Sequence, residues 1–537
     1  MKPFDAKGKF RLVAYGGVEL RRRAVQSAGV TVFSQGVLFA VQMIATVVLA
    51  RLLTPADFGV VTMVTTFSLL LLSFGGNGLT EAIIQREEID VFLASNLFWI
   101  NVGAGLVLAI GFAATGSLLA RLYGDPRVAH IAAGMSLAIF LTSTWVLHLA
   151  LLKRAMRFSA VCANDILARA VSVAVSILLG WAGWGYWALV AGAVAQPLTT
   201  SIGAWSLCRW VPSLPRRVAG TASAMRFATN IYGRFSVNYF ARNMDNLLVG
   251  WHFGAQSLGF YKKAYDLFAF PAGVFVSSLT TVALSALSRL NRDSIQYRRY
   301  LLRALAVVAF VGMGLGANLT LVGKDLIRVF LGPGWETAGW IFTFFGPGIG
   351  VMLLYGTHGW IHLSIGRADR WFRWGILEFV VTGLLFIVGL PWGPAGIAVA
   401  WTASFCILTI PAFWYAGRPI HLGIAPVIAA VWKYVLASLL AGSVSAMILR
   451  GVPFFVTASG WVGAAARILT MSVLFGTLYL GAVILLHQGC APIYQLAGLL
   501  REMAPLGRFS RPSPTAVATC ATGMSEVLTL TSGTEGS

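Results

Sequence analysis

FATNIYGRFSVNYFARNMDNLLVG (residues 227–250) is the stretch on which the reading of this chain turns. Its length suits one crossing of a bilayer, for which a helix needs about 20 residues. Yet it holds Asn230, Arg234, Asn238, Arg242 and Asp245, at spacings of 4, 4, 4 and 3. On an α-helix those positions cover an arc of roughly 120°. One face is a polar stripe with two cations and the rest is apolar, so a hydropathy window can pass it over.

The loops around it argue that it does cross. Thirteen further stretches are apolar enough to span: 28–50, 58–80, 94–119, 129–151, 166–186, 187–208, 264–287, 301–322, 338–361, 374–390, 393–415, 427–449 and 461–486. With 227–250 counted and the N-terminus inside, 27 of the 40 Lys and Arg fall on the cytoplasmic side, 8 outside and five within spans. Cytoplasmic loops of multi-pass proteins carry such an excess. Leaving 227–250 out moves every later loop to the other side and puts Arg289, Arg292, Arg298, Arg299 and Arg303 outside. The charge count therefore predicts an even number of spans, fourteen, with both termini cytoplasmic.

Composition agrees. Of 537 residues, 58% are hydrophobic and 11% charged, with mean hydropathy +0.78; soluble chains average about 25% charged. Fourteen spans take roughly 290 residues, which leaves connectors of ordinary length and excludes a sizeable soluble domain. The net charge of +21 and pI of 10.3 would suit nucleic acid, but the basic residues recur in short clusters between apolar stretches, so no nucleic-acid partner is expected. Cys162, Cys208, Cys406, Cys490 and Cys520 are scattered without a CxxC, which supports neither a redox motif nor a zinc knuckle. The basic N-terminus (Lys2, Lys7, Lys9, Arg11, Arg21, Arg22, Arg23) lacks the small-residue site of a cleavable signal and reads as a cytoplasmic anchor. A Walker A motif, a GxSxG and paired carboxylates in a long outer loop are all lacking, so no cofactor is expected and a polymerase, ligase or glycosyltransferase is disfavoured. Trp181, Trp184, Tyr186 and Trp187 suit an interfacial belt.

An internal repeat organises the spans. VVLARLLTPADFGV (47–60) is echoed 200 residues later by LLVGWHFGAQSLGF (247–260), with Gly59 opposite Gly259, Phe58 opposite Leu258 and Ala50 opposite Gly250. WGYWALVA (184–191) is echoed 208 later by WGPAGIAV (392–399). Two matches at nearly one offset predict a six-span unit used twice, and an even-numbered unit keeps its orientation in the membrane. The expected fold is an all-α integral membrane protein of about fourteen transmembrane helices. Two six-helix lobes, parallel repeats, would surround a central cavity, with two extra C-terminal helices. The expected boundaries are a basic N-tail (1–26), a first lobe (27–210), a linker (211–226), a second lobe (227–416), spans 13 and 14 (417–487) and a largely disordered cytoplasmic tail (488–537).

Charge at membrane depth costs at least ~2.5 kcal/mol per residue, so the stripe of span seven must face protein or water. It reads as the wall of a hydrated, cationic cavity for an anionic substrate. The alternative is an Arg242–Asp245 bridge that only locks two helices; Arg234, with no acid at helical spacing in its own span, favours the cavity. Arg169 has Asp165 four residues earlier, either an interfacial pair or a second cationic element. Glu81 (with Asn77), Asp165 and Asp266 are coupling-ion candidates; the plainer accounts are a boundary carboxylate for Glu81 and a pair with Lys262 for Asp266. His358 and His362 have i,i+4 spacing but no third ligand nearby, so no metal is expected. Lys433 and Arg467 lie near span ends, where long side chains reach the interface.

LARLLTPADFGVVTMV (49–64), GLTEAIIQR (78–86) and ARNMDNLLVGWHFGAQSLGFYKKAYDL (241–267) resemble the polysaccharide-transport branch of the MOP exporter superfamily, which includes Wzx-type flippases. The resemblance covers roughly residues 25–415. Its most specific part is an aspartate before an apolar run, a glycine and an LG-aromatic-Tyr turn, here Asp245, Gly250 and Leu258–Tyr261. Glu87 and Glu88 depart from a loop that is usually more basic. The resemblance implies a transporter of the bacterial inner membrane that moves polyprenyl-pyrophosphate-linked oligosaccharide from the cytoplasmic to the periplasmic leaflet. It implies alternating access through a cationic cavity, driven by an ion gradient or membrane potential. The implied partners are lipid-linked oligosaccharide, membrane lipids, and the polymerase and chain-length regulator of polysaccharide assembly. Three competing readings are a related exporter for a lipid II-type precursor or a drug, a membrane enzyme of polysaccharide assembly, and a scaffold. A drug exporter should have an acid-dominated cavity, an enzyme needs a substantial outer loop, and a scaffold needs no polar stripe.

Overall fold

A computed structural model describes residues 3–5, 8–10, 17–76, 80, 83, 89–216, 221–291, 293–451, 460–490 and 494. Among them the long elements are all helices. They are α1 (Gly17–Leu52), α2 (Pro55–Gly76), α3 (Val91–Tyr123), α4 (Arg127–Arg154), α5 (Phe158–Trp181) and α6 (Tyr186–Cys208). The helical segment Thr221–Leu290 follows, broken at Gly254, and its arms are α7 (221–253) and α8 (255–290). Then come α9 (Ser294–Leu331), α10 (Glu336–Gly356), the short α11 (His358–Ser364), α12 (Ala368–Gly389), α13 (Gly393–Gly417), α14 (Ile424–Gly451) and α15 (Gly460–His487). A spanning chain has little other choice, because hydrocarbon offers no partner to a backbone N–H or C=O.

Fourteen rods, with α10 and α11 taken as one, match the fourteen stretches predicted to span. Ten helical runs among the described residues pass as spans on length and hydropathy alone, and one of these, Asp369–Ile420, holds both α12 and α13. Tyr186–Cys208 and both arms of Thr221–Leu290 fall outside that criterion. The polar stripe lowers the hydropathy of α7, as its sequence leads one to expect. Several boundaries differ: α1 begins at 17 rather than 28, α8 at 255 rather than 264, and α9 runs over 294–331 rather than 301–322. The fifth rod is Phe158–Trp181 rather than 166–186, because Gly183 and Gly185, at φ of 80° and 53°, turn the chain there.

Local chemistry sets the ends. Asp90 caps α3 by accepting from the Leu93 N–H, and Asp293 caps α9 by accepting from Ile295 and Gln296. Thr54 and Asp57 form a capping box ahead of α2: the Asp57 carboxylate accepts from Thr54 N at 2.9 Å and the Thr54 hydroxyl from Asp57 N at 3.3 Å.

Adjacent rods pair by small residues, as membrane helices do. α9 packs on α10, where a Cβ on Gly350 would come 2.6 Å from the Gly312 carbonyl oxygen. Within residues 17–208, α3 packs on α4, α4 on α6, α5 on α6, α1 on α5 and α2 on α4. The same pattern recurs later, with α9 on α10, α10 on α13, α12 on α13 and α10 on the α7–α8 segment. Two compact units are distinguished, Met1–Ala482 and Val483–Ser537, and the sites described below lie in the first.

The first residues are more than a basic tail. Phe4 bridges Phe10 and Lys9 bridges Asp90. Phe10 is buried in a cluster with Ile83, Ile89, Leu93 and Trp210. Arg467 also departs from the expectation that it reaches the interface: it forms an ion pair with Asp325 of α9 at 2.5 Å. A largely buried guanidinium takes a carboxylate when one lies within reach.

Candidate functional site

The stripe positions Asn230, Arg234, Asn238 and Arg242 all stand on α7. Their side chains lie outside the described residues, as does Glu81. Two tyrosines on the same helix define how α7 is turned. The Tyr239 hydroxyl donates to the Thr66 carbonyl and the Tyr232 hydroxyl to the Leu70 carbonyl, each at 2.9 Å. Both acceptors are on α2, and the tyrosines are seven residues apart, two turns along one edge. At about 100° per residue the stripe positions centre roughly 130° round the helix from that edge.

Asp245 is the described member of the stripe, and it is buried. Its carboxylate accepts from the Tyr261 hydroxyl at 2.9 Å and from the Asn246 N–H at 2.8 Å. Gly254, at φ 78° and ψ −177°, breaks the helix and lets α8 turn so that Tyr261 reaches back sixteen residues. Tyr261 is itself fully buried, with its ring 5.2 Å from that of Phe345. Asp266 pairs with Lys262 at 2.8 Å, one turn away. The Lys263 ammonium sits 3.9 Å from the centre of the Phe58 ring. Asp165 and Arg169 are half-buried on successive turns of α5, their charges interacting, with Lys153 of α4 also acting on Asp165. His358 and His362 are buried with ring centres 5.9 Å apart.

Sequence reasoning paired Gly59 with Gly259 but missed that they build one contact. A Cβ on Gly59 would overlap the Ala255 carbonyl, and a Cβ on Gly259 would overlap the Pro55 carbonyl. Pro55 and Ala255 are themselves 200 apart. The contact is therefore reciprocal, as between two copies related by a two-fold axis. The neighbours repeat the relation. The Trp335 indole N–H donates to the Ala50 carbonyl at 2.9 Å. Tyr123 lies against Gly250, the residue matched to Ala50, where an added Cβ would come 3.1 Å from its ring. Trp335 also stands between Phe58 and Phe260, at 5.7 and 5.9 Å between ring centres. Arg51 donates to the Val329 carbonyl at 3.0 Å. All of this lies where the charge count puts the outer face, and the matched glycines were its only signal in the sequence.

The family described as "Polysaccharide biosynthesis protein" matches residues 48–339. The succinoglycan biosynthesis transport protein ExoT of Rhizobium meliloti is 22% identical over 67% of this chain and 73% of its own. The lipopolysaccharide biosynthesis protein WzxC of Escherichia coli is 21% identical over 75% of this chain and 82% of its own. Among solved structures, the lipid II flippase MurJ in an inward closed conformation superposes with a TM-score of 0.68 at 16% identity, over 86% of this chain and 99% of that one. An inward-facing multidrug transporter of the MATE family and MOP superfamily gives 0.57 at 14% identity, over 72% and 94%. The fold is that of the MOP transporters. With more than half of its length matched by one family, the chain belongs to the polysaccharide biosynthesis family of multi-pass membrane proteins.

Proposed function

We propose that this protein is a flippase that moves polyprenyl-pyrophosphate-linked oligosaccharide from the cytoplasmic to the periplasmic leaflet for surface polysaccharide synthesis. The observation that carries the reading is α7: an unbroken helix through 221–253 with arginines at 234 and 242, in a chain of this family. Cations at that depth need water, protein or an anion beside them. A pyrophosphate head meets the need through charge-assisted hydrogen bonds, and its polyprenyl tail can stay in lipid.

Two six-helix lobes (27–210 and 227–416) provide the moving parts. The recurring pairing of rods and the reciprocal contact of Gly59 with Ala255 and Gly259 with Pro55 support this division. The contacts gather at the outer ends, which fits a form closed to the outside. Alternating access follows if substrate and coupling ion favour the inward- and outward-facing forms differently. Asp266 is committed to Lys262, whereas Asp165, half-buried beside Arg169, is the better coupling candidate of the two. No covalent step is required of the protein. The reading places the chain in the bacterial inner membrane with both termini cytoplasmic, where the polymerase and chain-length regulator of the pathway would meet its product.

The test is the sidedness of lipid-linked oligosaccharide in cells lacking this chain. Accumulation on the cytoplasmic leaflet, cleared by complementation, is the expected result. Normal arrival at the periplasmic leaflet in a strain without a redundant flippase overturns the cargo. A block in lipid II movement instead would assign the peptidoglycan precursor.

A further inference from the structure

Three cytoplasmic corners of the second half meet around a pocket of about 250 Å³. They are the turn after α8, the turn from α11 to α12, and the turn after α13. Asn291, Ser294, Tyr297, Arg367 and His421 supply polar groups to it, and Ile420 part of its apolar wall. The first half has the same corners. The N–H groups of Ala155, Met156 and Arg157 bond to Leu151, Lys153 and Leu152, and 210 residues later Ile365, Gly366 and Arg367 bond to Ile361, Leu363 and His362. Asp90 caps α3 as Asp293 caps α9, 203 residues apart. Arg209 and His421 both end a helix at positive φ, 46° and 51°.

In the first half these corners close over the chain's own residues 8–10. Phe10 N donates to the Ile89 carbonyl at 3.0 Å and Val91 N to the Gly8 carbonyl at 2.8 Å. The Arg154 guanidinium covers the Phe10 ring at 5.2 Å. The lining there includes Val91 and Ala94; at the matching positions the second half has Ser294 and Tyr297. One half thus offers an apolar socket filled by a phenylalanine, and the other a socket of hydroxyl, amide, imidazole and guanidinium groups.

The charge around the second socket is positive. Arg298 is fixed beside it by donating to the Ile420 carbonyl at 2.9 Å. Arg418 stacks at 3.7 Å on Trp414, an exposed tryptophan in the last turn of α13, where interfacial aromatic residues of membrane helices gather. Of the acids next to its lining residues, Asp293 is occupied by the α9 cap and Asp369 stands in the first turn of α12, two residues beyond Arg367. Basic pockets between helix ends on the cytoplasmic side are suited to lipid headgroup phosphates, which guanidinium groups grip in pairs of hydrogen bonds.

We propose that this pocket binds a phosphate group, with Arg367, His421 and Asn291 as donors, in a position to take it from an anionic phospholipid of the cytoplasmic leaflet. The proposal does not depend on the cargo of the transporter. The test is thermal unfolding of the full chain, delipidated in neutral detergent. Phosphatidylglycerol, cardiolipin and phosphatidylcholine are titrated in turn, and inorganic phosphate and pyrophosphate separately. The expected result is stabilisation by the two anionic lipids but not by phosphatidylcholine, with half-saturation at least tenfold higher in the Arg367→Ala/His421→Ala variant. Arg299→Ala, which removes an exposed cation outside the pocket, should bind as the unaltered chain does. Should the double variant fold poorly, Asn291→Leu in the exposed turn carries the same test. If soluble phosphate gives the variant-sensitive shift and the lipids do not, the phosphate site stands and the lipid as its source is overturned. Equal shifts in all variants, or none for any phosphate ligand, overturn the site.

Discussion

Replacing Gly59 by alanine tests the outer closure directly. The new methyl would overlap the Ala255 carbonyl, a backbone atom in a helix, so no rotamer change can relieve the clash. α2 and α8 must part by roughly 1.5 Å or more to restore an ordinary carbon–oxygen separation. Overpacking of this kind costs about 1–3 kcal/mol. If the crossing exists only in the form closed to the outside, that cost moves the population away from it by roughly 5- to 150-fold. Gly259→Ala should act alike through Pro55. The two changes share one crossing, so they should not add. The assay is a short thiol crosslink between Arg51→Cys and Val329→Cys, whose native residues are joined at 3.0 Å, in a background with the five native cysteines replaced. Gly103→Ala is the control, since an added Cβ there meets nothing within 4 Å. The expected result is a crosslink formed at least fivefold more slowly in Gly59→Ala than in Gly103→Ala, with folded protein retained in detergent. Identical crosslinking in the two variants refutes the argument. Loss of folded protein with crosslinking intact in what remains would make the crossing a fixed brace rather than a gate.

Four further outcomes are expected. Arg234→Ala or Arg242→Ala should abolish surface polysaccharide at unchanged protein abundance; an equal loss of folded protein would favour a structural bridge. A cysteine at Arg292 should react with impermeant reagent only from the cytoplasm, because the fourteen-span topology puts the 289–303 cluster there. Tyr261→Phe takes a donor from a buried carboxylate, so thermal unfolding should report a loss of about 1–3 kcal/mol, absent when Asp245→Leu, which leaves no acceptor, is already present. Arg467→Ala strands Asp325 and should cost about 3–5 kcal/mol, much of it recovered in Arg467→Ala/Asp325→Ala.

The legible part of this molecule was the part that depends on local chemistry. Hydropathy and the partition of Lys and Arg reflect each segment's own solvent, and they led to fourteen rods, including the weak span 227–250, whose helix runs unbroken to Gly254. The i−4 spacing of Lys262 and Asp266 led to their ion pair for the same reason. Boundaries were misjudged where a helix runs on past its apolar stretch: α5 begins at 158 rather than 166, with Asn164 and Asp165 inside it, and α9 at 294 rather than 301, with Arg298 and Arg299 inside it.

What the tertiary structure alone decided are pairings across long stretches of chain. Asp245 is read from the sequence as part of a cationic wall, yet its described partner is Tyr261, brought back by the break at Gly254. Arg467 meets Asp325 from 142 residues away. Phe10 closes over Ile89 and beneath Arg154. Gly59 and Gly259 were visible as a matched pair, but their meeting with Ala255 and Pro55 was not. The bilayer dictates that each segment be a helix and which way it runs, because it acts on residues one by one. It does not dictate which helix lies beside which; that is settled by where small residues let backbones approach and where a buried polar atom can find its partner.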